Sequence, residues 1–347
     1  IGFELAEEKL RVIVLDRQEL GREASWAAAG MLSPAPDSAR DLPLVQFALQ
    51  SLQLYPRFVQ AIEEESGKSC AYVREGALEN FFATNAAREC EERLRELRTL
   101  GIAAEAISAD AARKMDGAIS PSAGAALWLP EEGTVEPRVL MDALIAAAQK
   151  RGVEFRAGCE VRGLLREGGR CVGVVSDGGK FASEHVILAA GCFSGEISKE
   201  PWLKQLAPTH PVRGQMLALR PYKRDGGPRR VVRSELGYLV PRRDGRIVAG
   251  STTEEAGFEK QVTAAGLRKI ASAAIEMCPE LGGAEVSETW SGLRPGTPDD
   301  LPILGATDMD GLWMATGHYR NGILLSAATA TLFRELITGA KRSFDVE

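Results

Sequence analysis

The spacing of apolar and polar residues predicts a chain in which helices and strands alternate. Apolar residues recur at helical spacing in six segments, at about 41–65, 86–100, 108–115, 137–152, 262–277 and 322–338. Short apolar runs bounded by turn residues predict strands elsewhere, as a meander over 153–190 and as longer strands at 211–220, 237–250 and 311–316. This interleaving favours two domains woven together over two domains in series.

The first residues have the pattern of the second half of a βαβ unit. A helical segment at 2–10 leads into the β-branched run 11–16, which is typical of a buried parallel strand. Such a strand needs neighbours on both sides, so we expect a first strand before Ile1 that the sequence does not include. If Gly2 is the third glycine of a G-x-G-x-x-G fingerprint, the first would lie about 19 residues before Asp16, near the usual spacing of about 20.

Two features near the start of the chain suit a dinucleotide. Asp16 would accept hydrogen bonds from the hydroxyls of an adenosine ribose, and the helix N-terminus at Gly2 would face a pyrophosphate. The fragment also fits an ordinary helix start followed by a surface aspartate. The next segment, 21–32, is dense in small residues, which let a flat ring system lie against the backbone. The same composition suits a tightly packed helical turn, because alanine is the best helix former.

The composition limits the classes of partner. The 347 residues are 45% hydrophobic and 26% charged, which fits two globular domains. The net charge of −6, without a separate basic cluster, argues against nucleic acid or an anionic membrane as partner. No apolar run approaches the roughly 18 residues of a membrane span. Six cysteines without a C-x-x-C pair, and histidines only at His185, His210 and His318, favour reduced thiols, a cytoplasmic location and no metal site.

Seven motifs, in order along the chain, resemble those of the D-amino acid oxidase superfamily. They lie at 24–32, 132–137, 188–191, 211–215, 238–242, 292–295 and 317–323. The resemblance covers nearly the whole chain and is strongest to the glycine oxidases linked to thiamine biosynthesis. It implies an α/β fold in which a Rossmann-type FAD-binding domain is interwoven with an antiparallel-sheet substrate domain.

The resemblance also implies where the two domains lie along the chain. The expected FAD-binding domain comprises 1–48, 130–210 and 290–347, and the expected substrate-binding domain comprises 49–129 and 211–289. Relatives of the sarcosine oxidase type attach FAD through a cysteine. Because no cysteine lies between 279 and 347, we expect the FAD to be held non-covalently.

The activity that the resemblance implies is oxidative deamination of glycine, sarcosine or a small D-amino acid. A hydride would pass from Cα of the amine substrate to the flavin, and O2 would reoxidise the flavin to give H2O2. Hydrolysis of the imine would then release ammonia and an oxo acid. The resemblance further implies a homotetramer. Two alternatives stay open: a flavin dehydrogenase acting on a hydroxy acid or a larger secondary amine, and a degenerate, non-catalytic flavoprotein.

Three residues are candidates for holding the substrate. Arg294 lies between apolar strands, where an unpaired charge is costly, and a guanidinium can bind a carboxylate through two parallel hydrogen bonds. The resemblance places the family's carboxylate-binding arginine here; the alternative is a structural ion pair with Asp299 or Asp300. The resemblance also implies that Tyr238 hydrogen-bonds the same carboxylate. Arg320 is either a second positive group over the substrate or flavin, or a brace for its loop.

The candidate cofactor-binding residues fall in four segments. They are Gly2, Asp16, Arg17, Ser25, Ala28, Ala29, Gly30, Met31, Ala190, Gly191, His318, Asn321, Gly322 and Ile323. Gly322 opens the last helix, whose N-terminus carries about half a positive charge and would stabilise the reduced, anionic flavin. The alternative is an ordinary loop-to-helix junction. No side chain stands out as a general base, and His318 is interpreted as a structural hydrogen-bonding residue. We expect 233–235 and 250–253 near the pocket mouth.

Overall fold

The computed structural model describes residues 1–35, 42–198, 200–223 and 226–344. In this part of the chain the helices are α1 (Gly2–Glu7), α2 (Ala24–Ala27), α3 (Leu42–Ser66), α4 (Ala86–Thr99), α5 (Ala109–Met115), α6 (Pro137–Lys150), α7 (Pro201–Leu206), α8 (Ala264–Met277) and α9 (Gly322–Thr338). Two 3-10 helices cover Gly191–Glu196 and Pro279–Gly283. Among these residues, no helix combines the length and apolar character needed to cross a membrane.

The strands alternate with these helices along the chain, which confirms the α/β fold class. They are β1 (Ile13–Leu15), β2 (Met31–Leu32), β3 (Ala77–Phe81), β4 (Glu105–Ser108), β5 (Ala125–Leu129), β6 (Gly133–Thr134), β7 (Glu154–Arg156), β8 (Val161–Glu167), β9 (Arg170–Ser176), β10 (Gly179–Ala182), β11 (Val186–Leu188), β12 (His210–Arg220), β13 (Val231–Ser234), β14 (Gly237–Pro241), β15 (Ile247–Gly250), β16 (Glu285–Gly296), β17 (Ile303–Ala306) and β18 (Leu312–Thr316).

The six predicted helices are all present, as α3, α4, α5, α6, α8 and α9. The predicted start of the first, at residue 41, lies outside the described residues. Several ends follow ordinary capping rules. The Ser108 side chain accepts a hydrogen bond from the backbone of α5, the Thr263 side chain does the same for α8, and Gly339 ends α9 in the left-handed conformation at φ 69°.

The largest sheet has eight strands in the order β16-β12-β15-β14-β13-β3-β5-β4. Its neighbouring strands are antiparallel except for β13 and β3, which pair in parallel. One face packs on α5 and α8 through a buried core that includes Leu78, Leu217, Leu239 and Met277. The opposite face packs on the small residues Ala27 and Ala29 through Met216, Val240 and Trp290.

Smaller sheets and a helical core form the other half of the fold. Strands β1 and β7 are parallel, as are β11 and β18, whereas β8, β9 and β10 form the predicted meander. Helices α1, α3, α6 and α9 share one core, in which Phe3, Tyr55, Leu140 and Leu325 are buried. The prediction of a parallel β1 is confirmed. The prediction that it is buried is wrong at Ile13, which is 37% exposed because it borders a large cavity.

The sequence pattern missed five strands of the large sheet: β3, β4, β5, β13 and β16. Strand β3 carries the buried polar residues Glu79 and Asn80, which interrupt the alternation that would mark a strand. The domain boundaries stay a prediction. The large sheet draws its strands from 77–129 and 210–296, so β16 runs across the boundary expected at 290.

Candidate functional site

A cavity of about 2740 Å³ lies between the large sheet and the smaller sheets. Its volume is several times that of an ordinary small-ligand pocket, which spans about 300–1,000 Å³. All seventeen residues singled out from the sequence border this cavity. The expected mouth residues Arg233, Ser234, Glu235, Ser251 and Thr253 border it as well. The fold therefore gathers segments from both ends of the chain around one space.

At one end of the cavity, α1 packs tightly on the neighbouring strand. A Cβ on Gly2 would lie 3.4 Å from Cγ1 of Val12 and 3.7 Å from Cγ2 of Val14, so the helix start lies in van der Waals contact with this strand. Asp16 follows β1 directly, and its Oδ1 accepts a hydrogen bond from the backbone N–H of Gln18 at 3.0 Å. This is the arrangement expected of a ribose-binding acid beside a helix N-terminus.

Arg17 belongs to a cluster that joins two distant segments. Its guanidinium lies 3.6 Å from the ring centre of Phe193 and forms an ion pair with Glu23 at 2.8 Å. Glu23 also pairs with Lys260, and Phe193 stacks on Phe258 with ring centres 4.9 Å apart. Burial acts to raise the pKa of Glu23, but hydrogen bonds from Lys260 and Arg17 hold it below its usual value. These contacts connect the loop before α8 to the segment that follows β1.

The small-residue segment 27–31 forms part of the cavity wall. Gly30 has φ 77°, and a Cβ there would lie 2.2 Å from the carbonyl oxygen of Val135, so only glycine fits. Ala29 and Gly30 are buried, yet their backbone N–H groups have no hydrogen-bond acceptor among the described residues. Buried N–H groups are rarely left unpaired. Both residues border the cavity, so a molecule bound there can accept these hydrogen bonds.

Two further glycines border the cavity. Gly191, just after β11, has φ 58°, and no atom lies within 4 Å of a Cβ built on it. Its carbonyl oxygen accepts a hydrogen bond from the hydroxyl of Thr316 at 2.9 Å. Gly322 is the first residue of α9, and the nearest atom to its Cβ position is Cβ of His318, at 3.5 Å. Protein packing alone therefore does not require glycine at position 322.

The loop before α9 is held by hydrogen bonds within the protein. Nε2 of His318 lies 3.1 Å from the hydroxyl of Thr329, and the carbonyl oxygen of His318 accepts from the N–H of Asn321 at 2.8 Å. Burial lowers the pKa of His318 to about 4, so its ring is neutral near pH 7. These contacts agree with the structural role expected for His318.

Arg294 lies on the cavity side of β16, beside β12. Its guanidinium donates hydrogen bonds to Oγ of Ser251 at 2.7 Å and to the carbonyl oxygen of Thr252 at 3.2 Å. A Cβ on Gly214 would lie 2.4 Å from the guanidinium, so glycine on β12 makes room for it. Burial lowers the pKa of Arg294.

The structure does not support the alternative partners for Arg294. Asp299 and Asp300 form no ion pair with it, and no other carboxylate in the described residues lies within ion-pair distance. Tyr238 lies beside the guanidinium, and its hydroxyl donates to Sδ of Met216 at 3.2 Å. Arg294 is thus a partly buried cation without an anion among the described residues, next to a hydroxyl whose own proton goes to a weak acceptor.

Arg320 stands at the exposed edge of the same region. It donates to the hydroxyl of Thr253 at 3.0 Å and lies 5.2 Å from the ring centre of Tyr319. Of the two roles predicted for Arg320, the hydrogen bond to Thr253 is the contact expected of a brace between loops.

Sequence reasoning missed an ionic cluster in the cavity wall. Arg233 donates to Glu79 at 2.9 Å and to Glu132 at 2.7 Å, and Arg93 also binds Glu79. Burial acts to lower the pKa of Arg233, but the two glutamates raise it above its usual value. Glu79 and Arg233 are 154 positions apart in the chain, and only the pairing of β3 with β13 brings them together.

Comparison with known proteins identifies the family. A family model described as FAD dependent oxidoreductase matches residues 1–336. The chain belongs to this family. The glycine oxidase of Pseudomonas putida is 34% identical over 346 residues, which cover 99% of this chain and 92% of that protein. The bifunctional protein ThiO/ThiG of Synechocystis is 34% identical and covers 99% of this chain, which spans 50% of that protein.

A solved structure supports the same assignment. The crystal structure of glycine oxidase from Geobacillus kaustophilus superposes with a TM-score of 0.91 at 30% identity, covering 100% of this chain and 93% of that one. The resemblance to the D-amino acid oxidase superfamily and its glycine oxidase branch is therefore confirmed. So is the assignment of an FAD-dependent oxidoreductase that oxidises amines.

The cavity of this FAD-dependent oxidoreductase fits its cofactor. FAD has a flat, polar ring system joined to a nucleotide by a pyrophosphate. The unpaired N–H groups of Ala29 and Gly30 need an acceptor, and the open space beside Gly191 and Gly322 lets a group approach the backbone closely. Helix α9 begins at the cavity, which suits partial negative charge there.

Gly322→Val tests whether the open space at the start of α9 belongs to the cofactor. Since a Cβ meets no close atom, we expect the melting temperature of the FAD-free protein to be unchanged. The dissociation constant for FAD should rise about tenfold or more, because the side chain occupies space at the helix N-terminus. Fluorescence titration with FAD measures this. Gly117→Val is the matched control, because no atom lies within 4 Å of its Cβ position and it does not border the cavity. Equal FAD affinity in both variants would contradict the assignment.

The lowered pKa of His318 predicts a pH dependence of stability. The unfolded chain gains a proton on this histidine as the pH falls through 6.5, whereas the folded protein gains it only near pH 4. The unfolding free energy should therefore fall over this window, by up to about 3 kcal/mol from His318 alone. Urea unfolding at pH 7 and pH 4.5 should show a smaller difference for His318→Gln than for the wild type. The control is His185→Gln, at an exposed position; an equal change in both variants would refute the assignment.

Proposed function

We propose that this protein oxidises the C–N bond of a small amino acid, with glycine the favoured substrate and O2 the electron acceptor. The products would be H2O2, ammonia and an oxo acid. Its membership of an FAD-dependent oxidoreductase family and its similarity to glycine oxidases support the reaction class. The choice of glycine rests on those relatives together with the site at Arg294.

One observation carries the proposal: Arg294 is a partly buried guanidinium without a carboxylate partner among the described residues. Leaving a charge in this state is costly, so it is expected where a ligand supplies the counter-charge. The planar fork of a guanidinium matches the two oxygens of a carboxylate. An amino acid carboxylate is therefore the group that best completes this site.

The residues around Arg294 suggest how the substrate is oriented. Arg294 would hold the carboxylate, and Tyr238 would turn its hydroxyl from Met216 to the bound carboxylate. Sulfur is a weak acceptor, so this exchange costs little. Fixing the carboxylate at two points aims the Cα–H bond into the cavity and removes rotational freedom before the reaction. When bound, FAD supplies the two-electron acceptor for the hydride.

Acid–base groups have a small part in this scheme. His318 is neutral and bound to Thr329, and Glu79 is held between two arginines, so neither is free to take a proton from the substrate. We infer that the amine enters in its neutral form. Positioning by the protein then replaces proton transfer by a side chain.

The cofactor-binding residues follow from the same arrangement. We propose that Gly2, Asp16 and Arg17 hold the adenosine and pyrophosphate end of FAD. The flavin would lie against a second set of residues, namely Ser25, Ala28, Ala29, Gly30, Met31, Ala190, Gly191, His318, Asn321, Gly322 and Ile323. Non-covalent binding is supported at Cys192, because burial raises the pKa of this cavity-lining thiol to about 12 and so keeps it protonated.

Two further predictions concern the setting of the enzyme. We propose a homotetramer, on the resemblance to the glycine oxidase branch. We also propose a cytoplasmic location, which the six buried and unpaired cysteines favour. Light scattering on the purified protein measures the first.

An absorption spectrum recorded before and after anaerobic addition of glycine tests the function. We expect the visible absorption band of the oxidised flavin to bleach on adding glycine and to return, with H2O2, when air is admitted. Bleaching without peroxide would point to a dehydrogenase that uses another acceptor. A flavin band that glycine leaves oxidised would refute the proposed substrate, and sarcosine, D-alanine and hydroxy acids would then be tried.

Arg294→Ala tests the carboxylate site. Removing one member of a buried charge pair costs about 3–5 kcal/mol, so kcat/KM for glycine should fall by roughly two to four orders of magnitude. Most of the loss should appear in KM, because the carboxylate is bound before and during hydride transfer. FAD affinity should not change.

Lysine substitutions provide the matched control for Arg294→Ala. Arg294→Lys keeps the charge but not the fork, and it should be intermediate. Arg213→Lys changes the same residue type on the opposite face of the adjacent strand, where Arg213 pairs with Glu254. It should leave KM for glycine unchanged. A KM for Arg294→Ala equal to that of the wild type would show that another group binds the carboxylate.

A further inference from the structure

Arg242, just after β14, binds the small-residue segment from the side away from the cavity. Its guanidinium donates to the carbonyl oxygen of Ala29 at 2.7 Å and to that of Val135 at 3.2 Å, and it pairs with Glu136 at 2.9 Å. Only 5% of the Arg242 side chain is exposed, and it does not border the cavity. A buried guanidinium thus holds two backbone carbonyls from different segments.

The bond to Ala29 fixes the direction of the next N–H group. The carbonyl of Ala29 and the N–H of Gly30 belong to one peptide group, and this peptide bond is trans. In a trans peptide the C=O and N–H bonds point in opposite directions. Because the oxygen is held by Arg242, the N–H of Gly30 is turned the other way, and it is one of the two unpaired N–H groups at the cavity wall.

The bond to Val135 acts on the same place from a second direction. The carbonyl oxygen of Val135 is the atom that excludes any side chain at Gly30, and the N–H of Val135 donates to the carbonyl oxygen of Gly30 at 2.9 Å. Gly30 is therefore held through both of its neighbouring peptide groups. Arg242 donates to the carbonyl oxygens on both sides of this contact, those of Ala29 and Val135.

Other contacts behind the segment do not replace Arg242. The indole N–H of Trp290 binds the carbonyl oxygen of Ala27, and the guanidinium of Arg138 lies 3.6 Å from the ring centre of Trp26. Both act at the helical start of the segment, two or more residues before Gly30. In the described residues, Arg242 is the cation bound to the peptide that precedes Gly30.

We propose that Arg242 is a positioning residue for the cofactor: by holding the Ala29 and Val135 carbonyls it aims the Gly30 N–H at the flavin ring. The inference rests on the proposed placement of the flavin against 28–31. It does not depend on which amine is oxidised. Arg242 touches neither cofactor nor substrate, so its effect should appear in how tightly FAD is bound.

FAD titration of Arg242→Met, Arg242→Lys and Arg243→Met tests the proposal. Arg243 is the matched control, because it is the adjacent arginine, is exposed and does not border the cavity. We expect both Arg242 variants to bind FAD about tenfold or more weakly than the wild type, since hydrogen bonds to a charged group are lost. Lysine should not restore the affinity, because one ammonium does not reproduce the planar fork that binds the carbonyls of Ala29 and Val135. Arg243→Met should match the wild type.

The melting temperature of the FAD-free proteins separates positioning from general stability. A variant with a lowered melting temperature but wild-type FAD affinity would show that Arg242 is only structural and would overturn the proposal. If Arg242→Met does not fold, Arg242→Lys decides the question in the same way. If the wild-type protein binds FAD but glycine does not reduce it, the proposed substrate is wrong. The comparison of FAD affinities between the wild type and the Arg242 variants still tests the role of Arg242.

Discussion

The site depends on how closely the segment 27–30 approaches the large sheet. A Cβ on Gly292 would lie 2.4 Å from Cβ of Ala27, and Trp290 donates to the carbonyl oxygen of Ala27. A larger side chain at position 292 would push the sheet away from the segment. Because Arg294 lies on the same strand, two residues further on, this contact also sets how far the proposed carboxylate site lies from the segment 27–30.

Glycines on the sheet make the space that this close approach requires. Arg294 extends across Gly214, and the Tyr238 hydroxyl lies over Gly250, whose Cβ would come within 2.6 Å of it. Side chains at these positions would displace the two groups that we propose bind the substrate. A sheet loses some stability when glycine replaces larger residues in its strands. Here the glycines lower the stability of the sheet, but they allow the side chains of Arg294 and Tyr238 to lie flat against the strands.

The predictable parts of this fold are those with a strong local pattern. The six helices were predicted because the apolar residues of each helix recur on the side that packs into a hydrophobic core, and Arg294 stood out as a charge between apolar strands. The strands β3 and β13 were missed because Glu79 and Arg233 occupy positions where a sequence pattern expects apolar residues. Each becomes acceptable only through the other, and 154 positions separate them. Arg242 belongs to the motif at 238–242, but it binds the backbone carbonyls of Ala29 and Val135. Backbone carbonyls are present at every residue, so the sequence does not indicate which of them a side chain binds.

Two arginines on the same sheet show why burial alone does not identify a functional residue. Arg233 is buried between Glu79 and Glu132, and these partners raise its pKa, so the cluster is complete without a ligand. Arg294 is also largely removed from solvent, but it has only neutral partners in the described part of the chain, and this desolvation lowers its pKa. In the described residues, Arg233 therefore has carboxylate partners and Arg294 has none. The cost of the second arrangement is recovered only when an anion binds, which is why we assign substrate recognition to Arg294 and structural support to Arg233.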